Sequence, residues 1–140
     1  MVIADTGFWI ALANAKDVFH QRAIALAQEL GREGFVCTWP VITETVYLMG
    51  KRIGMEARLR FMAQLERGVC SIHPLPDTAI ARMHFLMRKY HERRMDLADA
   101  SLIVLAEELG TGLILSSDKG DFETYRWKSR KPFKNLLLTD

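Results

Sequence analysis

The sequence predicts an α/β fold, a central parallel β-sheet of four to five strands flanked by helices on both faces. Three observations predict it. Short apolar runs rich in β-formers recur along the chain, at VIA, FVCTW, VCSIHPL, GLILSS and NLLL. Stretches of helical periodicity stand between most of them and supply the long crossovers that parallel strands need. Most junctions carry Gly, Pro or Asp, residues that stop one element and start the next.

Val2 to Ala4 reads as a buried strand that ends at Asp5-Thr6-Gly7 and turns at once into the helix Phe8 to Asn14. Asp17 is placed to cap an amphipathic helix with Phe19, Ala23, Ala27 and Leu30 on one face, closed by Gly31 and Gly34. Phe35 to Trp39 is a second strand, and Pro40 suits the first position of the helix Val41 to Arg52. A third periodic helix, Met55 to Gly68, leads into the strand-like run Val69 to Leu75. Pro76 and Asp77 then open a helix over Thr78 to Arg94, whose Ile80, Met83, Phe85, Leu86 and Met87 give a broad apolar face. The helix from Asp96 to Gly110 is apolar on nearly every side until its acidic last turn, which predicts deep burial. Gly112 to Ser117 is an interior strand, and Asn135 to Leu138 supplies a last one.

With 140 residues, 49% of them hydrophobic, the chain can bury one core, so residues 1–140 are expected to form a single domain. A net charge of +2 argues for neither a disordered tail nor a strongly cationic nucleic-acid binder. The cations are nevertheless clustered. Arg88, Lys89, Arg93 and Arg94 lie in one run, and TYRWKSRKPFK carries Arg126, Lys128, Arg130, Lys131 and Lys134 without an acid, interleaved with Tyr125, Trp127 and Phe133. Cys37 and Cys70 match neither a CxxC pair nor a disulfide framework, which points to a reduced, cytoplasmic compartment. No basic leader precedes an apolar run, and no stretch reaches the roughly 18 apolar residues that span a bilayer, so a soluble protein without membrane association is expected.

The acids carry the chemistry. Asp5, Glu44, Asp99 and Asp118 each stand alone in a mostly apolar stretch, where an uncompensated carboxylate is costly to bury. Asp5 and Asp118 fall at the carboxyl ends of strands, where open α/β sheets gather their ligands, and Glu44 and Asp99 lie near helix starts that can face the same edge. Each has a plainer reading too. Asp5, Asp96 and Asp99 suit helix caps, and Asp118 suits a turn, with Asp121 as an alternative for its role. Glu44 resists such readings, because it is the only charge between Glu33 and Lys51 and no partner lies three or four residues away. If the acids meet, hard oxygen donors without His or Cys select Mg²⁺ or Mn²⁺, and the zinc spacings are missing around His20, His73, His84 and His91. Such a site suits metal-assisted attack of water on a phosphodiester.

In their order, the acids of ADTGFWIAL, PVITETVYL, DLADASLIVLAEELG and LILSSDKGDF resemble the PIN-domain ribonucleases, and among them the VapC toxins of bacterial toxin-antitoxin pairs. The resemblance covers nearly the whole chain. It implies a PIN-like fold and Mg²⁺- or Mn²⁺-dependent endonucleolytic cleavage of RNA, leaving a 5′-phosphate and a 3′-hydroxyl, by a toxin that inhibits translation. Carried over, Asp5, Glu44 and Asp99 correspond to metal ligands, and Asp118 completes the acidic pocket. Thr6 corresponds to the hydroxyl after the first acid, and Ser116 stands where the family often has Thr. Asp96 reads either as a further acid of the site or as a helix cap. The resemblance also implies a homodimer and a VapB-like antitoxin whose C-terminal tail covers the cleft. The RNA-contact candidates are Arg88, Lys89, Arg93, Arg94, Arg126, Lys128 and Arg130, with anchoring to the core as the alternative for the neighbouring aromatics.

Other readings stay open beside this one: a PIN-type nuclease of RNA processing, a catalytically silent RNA- or protein-binding module, and a receiver-like phosphoacceptor. The receiver normally needs adjacent acids after its first strand, and Asp5 stands alone. GxxxxGK[ST] and GxSxG are absent, which removes the common phosphate-cradling loop and the hydrolase elbow.

Overall fold

The structure, a computed structural model, describes residues 1–139; Asp140, the last residue of the predicted domain, lies outside them. Five parallel strands form the main sheet in the order β3-β2-β1-β4-β7. They are β1 (Val2–Ala4), β2 (Phe35–Cys37), β3 (Ser71–Ile72), β4 (Leu113–Leu115) and β7 (Lys134–Asn135). Helices α1 (Thr6–Ala13), α2 (His20–Leu30), α3 (Trp39–Arg52), α4 (Met55–Glu66), α5 (Ala79–Lys89), α6 (Leu97–Leu109) and α7 (Lys119–Thr124) flank it. A short antiparallel pair, β5 (Arg126–Trp127) and β6 (Lys131–Pro132), stands apart from the main sheet.

The central strand β1 is fully buried, with Ile3 paired to Val36 on one side and to Ile114 on the other. From β1 the chain builds outward through β2 and β3, then returns to the other side for β4 and β7. Strand order therefore reverses between β1 and β4. In open parallel sheets this is where a crevice forms at the strands' carboxyl ends. Helix α6 fills the middle of the molecule, with Leu102, Ile103, Leu105 and Ala106 all inaccessible to solvent, as its apolar sequence predicts. Its acidic last turn is held from outside: Arg82 clasps Glu107 through two bonds of 3.0 and 2.7 Å, and His73 Nε2 lies 2.6 Å from Glu108.

Several expectations change at their edges. Asp17 does not cap α2, which begins at His20; its carboxylate instead accepts from the Phe19 amide at 2.8 Å, tightening the turn before the helix. Strand β2 stops at Cys37 because Trp39 already belongs to α3, making Pro40 its second residue rather than its first. The run 69–75 pairs only at Ser71 and Ile72. The last strand lies one residue earlier than NLLL begins, since Lys134 and Leu136 donate to the Gly112 and Ile114 carbonyls. The helix over 78–94 ends at Lys89, and a 3₁₀ turn at His91–Arg93 carries the chain to Arg94 in the left-handed region. The cysteines, distant in sequence, meet at the end of β2 and just before β3 with their Sγ atoms 3.3 Å apart, both free. No helix among the described residues is long and apolar enough to cross a membrane.

Candidate active site

Asp5 follows the last residue of β1, and its amide still donates to the Leu115 carbonyl at 2.9 Å, so the sheet fixes its backbone. Its Oδ1 accepts from the Thr6 amide at 2.7 Å, as a helix cap does, while Oδ2 accepts from Ser116 Oγ at 2.9 Å. The cap reading of Asp5 is thus correct without excluding the site reading. Ser116 in turn accepts from the Asp118 amide at 3.1 Å, tying the first acid to the last across the β1–β4 boundary. Asn135 of β7 grips Ser116 from behind: its Oδ1 accepts from the Ser116 amide and its Nδ2 donates to the Ser116 carbonyl.

Asp96 caps α6, its Oδ1 accepting from the Asp99 amide at 2.8 Å, and Asp118 caps α7 through the Asp121 amide at 3.1 Å. Tyr125, wholly buried after α7, donates its hydroxyl to Asp99 Oδ2 at 3.0 Å. Glu44 projects from α3 on a stripe with Leu48 and Arg52. These residues line one cleft of about 330 Å³ with Asp5, Thr6, Gly7, Ile10, Asp17, Arg94, Asp96, Asp99, Ser117, Asp118 and Asp121. All four principal acids meet there, together with both subsidiary ones.

The convergence has an electrostatic cost. Burial, reinforced by the charges of Asp5 and Asp96, pushes the Asp99 carboxyl up to about 8 despite the bond from Tyr125. Burial and then Asp96 push Glu44 up to about 6, and burial with the neighbouring Asp121 does the same for Asp118. Asp5 is also raised, by burial first, against the opposing bonds from Thr6 and Ser116. Raised carboxyls at one strand edge show that the cleft favours either protons or a cation. Among the described residues, no three His, Cys, Asp or Glu side chains stand ready as placed to hold one ion.

The hydroxyl residues take different parts. Ser116 bonds Asp5 directly, whereas Thr6 Oγ1 accepts from Thr45 Oγ1 at 3.1 Å and lines the cleft. Among the predicted cations only Arg94 reaches the cleft wall. Arg93 is bound to Asp121 at 3.2 Å, and the Arg126 guanidinium donates to the Glu123, Thr124 and Tyr125 carbonyls that end α7. Lys128 and Arg130 sit on the β5–β6 turn, exposed, and Arg88 and Lys89 are exposed at the end of α5. Trp127 is buried, and Phe133 packs edge-on against Phe122 at 5.3 Å, so these aromatics anchor the segment to the core. Asp17, Arg52, Tyr125 and Asn135 were not singled out as site residues from the sequence. Only Arg52 carried a signal, its four-residue spacing from Leu48 and eight-residue spacing from Glu44 on one helix stripe.

Gly7 lets α1 pass close to the turn after β4. A Cβ there would overlap Ser117 Oγ and lie 2.7 Å from Ser117 Cβ and 3.1 Å from its amide nitrogen. Rotating the serine cannot relieve the Cβ contact, so backbone must move. Gly7→Ala is expected to destabilise the protein by about 1–3 kcal/mol although alanine favours helix, and urea unfolding measures it. An equally stable variant would contradict this packing.

The family model described as "PIN domain" matches residues 2–128. Ribonuclease VapC26 of Mycobacterium tuberculosis is 27% identical over 125 residues, covering 89% of this chain and 92% of its own length. The crystal structure of Mycobacterium tuberculosis VapC20, titled a sarcin-ricin loop cleaving toxin, superposes with a TM-score of 0.77 at 22% identity, covering 84% of this chain and 90% of the other. That likeness bears out the PIN-like parallel-sheet fold. With its sheet order, its acids at the β1–β4 switch point and a family match running over most of its length, the chain belongs to the PIN domain family.

Proposed function

We propose that the chain is a divalent-cation-dependent endoribonuclease, the toxin of a toxin-antitoxin pair. The observation that carries this is the meeting of Asp5, Glu44, Asp99 and Asp118 in one cleft with raised carboxyl pKa values. The name of the ribonuclease relative and the toxin title of the structural neighbour support it. The donor set fits Mg²⁺ or Mn²⁺: every acidic side chain on the cleft wall offers hard oxygens, and no His or Cys is among the lining residues.

Asp5, Glu44 and Asp99 would hold the cation, with Asp118 closing the acidic ring and Asp96 and Asp121 backing it. When bound, the cation supplies positive charge to the attacked phosphate and makes hydroxide available near neutral pH. A carboxylate of the cleft orients the attacking water and takes its proton. The water oxygen bonds to phosphorus, the P–O3′ bond breaks, and the leaving oxygen takes up a proton, giving a 5′-phosphate and a 3′-hydroxyl. Ser116 and Tyr125 hold Asp5 and Asp99 by one oxygen each. For Asp99 this leaves Oδ1 for the site, whereas both Asp5 oxygens already accept one bond each and offer their remaining lone pairs.

The neighbour's title suggests a structured RNA loop as the substrate class. The toxin reading brings with it an antitoxin whose arginine can neutralise the acids, and a single domain over residues 1–140 acting in the cytoplasm. Trp39, Tyr47 and Leu97, 60%, 60% and 49% exposed beside Glu44 and Asp96, supply an apolar surface for a homodimer. The test is cleavage of a structured RNA by the purified chain. Cutting should stop in EDTA, return with excess Mn²⁺ or Mg²⁺, and leave ends that accept ligation as 5′-phosphates. Undiminished cutting in EDTA would defeat the reading.

A further inference from the structure

We propose that Arg52 and Arg94 form a phosphate clamp that holds single-stranded RNA across the carboxylates, one contact on each side of the bond to be cut. The inference rests on the reading of the cleft as an RNA-cleaving centre. Of the chain's 19 Lys and Arg residues, only these two line the cleft. Arg52 enters from the last turn of α3, on the wall that also carries Glu44 and Leu48. Arg94 enters from the turn before α6, on the side where Arg93 is bound to Asp121.

Both guanidinium groups stand beside acids and pair with none of them. The salt bridges among the described residues are His73–Glu108, Arg82–Glu107 and Arg93–Asp121. Arginine beside a carboxylate ordinarily closes a two-pronged bond, as Arg82 does with Glu107. The donors of Arg52 and Arg94 are thus left for an incoming anion, and phosphate matches their fork. Arg94 carries a second mark. Its backbone lies at φ 55° and ψ 41°, the left-handed region, which is strained for a residue with a side chain and which Gly or Asn adopts more readily. The turn sends two successive arginines to different tasks, Arg93 to α7 and Arg94 to the cleft.

The spacing divides the labour. Glu44 and Arg52 are eight residues apart on one helix, about 12 Å along its axis, and the arginine side chain leans back toward the helix N-terminus, which brings its head within reach of a phosphate next to the one at the acids. An extended strand can offer its phosphates in this way. A rigid duplex would have to bring its paired partner strand into the same narrow cleft.

The test is fluorescence anisotropy with a short labelled single-stranded RNA of mixed sequence, titrated across a range of salt in EDTA, beside steady-state cleavage in Mn²⁺. Arg52→Ala and Arg94→Asn, the latter chosen because Asn tolerates the left-handed backbone, should each weaken binding about three- to tenfold and flatten the log–log salt slope by about 0.7. In cleavage, KM should rise more than kcat falls. Arg52→Lys and Arg94→Lys should restore the slope, which a structural role would not produce. Unchanged slopes in Arg52→Ala and Arg94→Asn, with circular dichroism confirming the fold, would overturn the clamp while leaving a cutting enzyme in place. A wild-type chain that binds the single-stranded RNA with the expected slope but cuts neither it nor a structured RNA in Mn²⁺ would overturn the nuclease reading and leave the clamp.

Discussion

Asp99→Asn protein is expected to fold normally and to lose RNA cleavage by about a thousandfold or more. Asparagine keeps the size of the side chain and can still accept from the Tyr125 hydroxyl, so the contact at 3.0 Å survives. Helix α6 keeps its cap, because that bond runs from the Asp99 amide to Asp96. What disappears is one negative charge facing the reacting phosphate's cation. A single preorganised electrostatic contact to the transition state contributes on the order of 3–4 kcal/mol, or two to three powers of ten in rate, and weaker cation binding adds to that. Single-turnover cleavage at saturating Mn²⁺ separates the two contributions. Asp5→Asn should behave alike in cleavage, with a larger stability change because both its oxygens are bonded in a buried setting. Either variant cutting at the wild-type rate would remove the acids from the chemistry.

The cation-free protein is expected to become less stable as pH rises from about 4 to about 8, the reverse of common acid denaturation. The sign follows from the raised carboxyls. In the unfolded chain Asp and Glu titrate near 4, so above that pH the unfolded state has released protons that the native cleft still holds. Stability falls with pH wherever the native state binds more protons. Asp99, folded at about 8, holds its proton across that whole window; Glu44 and Asp118 release theirs near 6. For Asp99 alone the loss is on the order of 5 kcal/mol by pH 8, comparable with the entire stability of a small domain. Added Mn²⁺ should reverse the trend, by about 4 kcal/mol at a thousand times its dissociation constant. Urea unfolding near pH 5 and near pH 8, in EDTA and in Mn²⁺, measures this. Rising stability with pH in EDTA would show that the acids are not crowded as the structure has them, and Asp99→Asn should flatten the slope.

Much of this was legible in the sequence because the fold repeats a simple rule. Apolar runs such as VIA and LIL can only be interior strands, and the polar residue that ends each run must sit at the sheet's edge. That places Asp5 and Ser116 before any coordinates are known, with Asp118 two residues beyond Ser116. Glu44 was legible for another reason, its isolation from every local partner. The cap readings of Asp5 and Asp96 were also right, and Asp118, read as a turn residue, caps α7. A short acid at a helix start satisfies the first amides and still offers an oxygen to the cleft, so the two roles are compatible.

The remainder depended on contacts between elements far apart in the chain. Tyr125 lies 26 residues from Asp99 and Asn135 lies 19 from Ser116, and no periodicity reports such pairings. Charge on a line of text does not say which way it faces. Arg126 folds back on carbonyls of its own turn, and Arg93 is spent on Asp121. Helix α7 and the β5–β6 pair, six residues and two plus two, are too short for a periodic signal and are set by the caps and by the left-handed Lys128 and Ser129 of the turn.

The grip of Asn135 on Ser116 makes the first acid of the cleft depend on the edge strand of the sheet. Ser116 positions Asp5, yet its own main chain is held by a residue of the last strand. With β1, β2, β3 and β4 paired, the sheet still lacks the contact that steadies Asp5 until β7 docks on β4. The outermost strand thus acts on the first acid at second hand, through one serine.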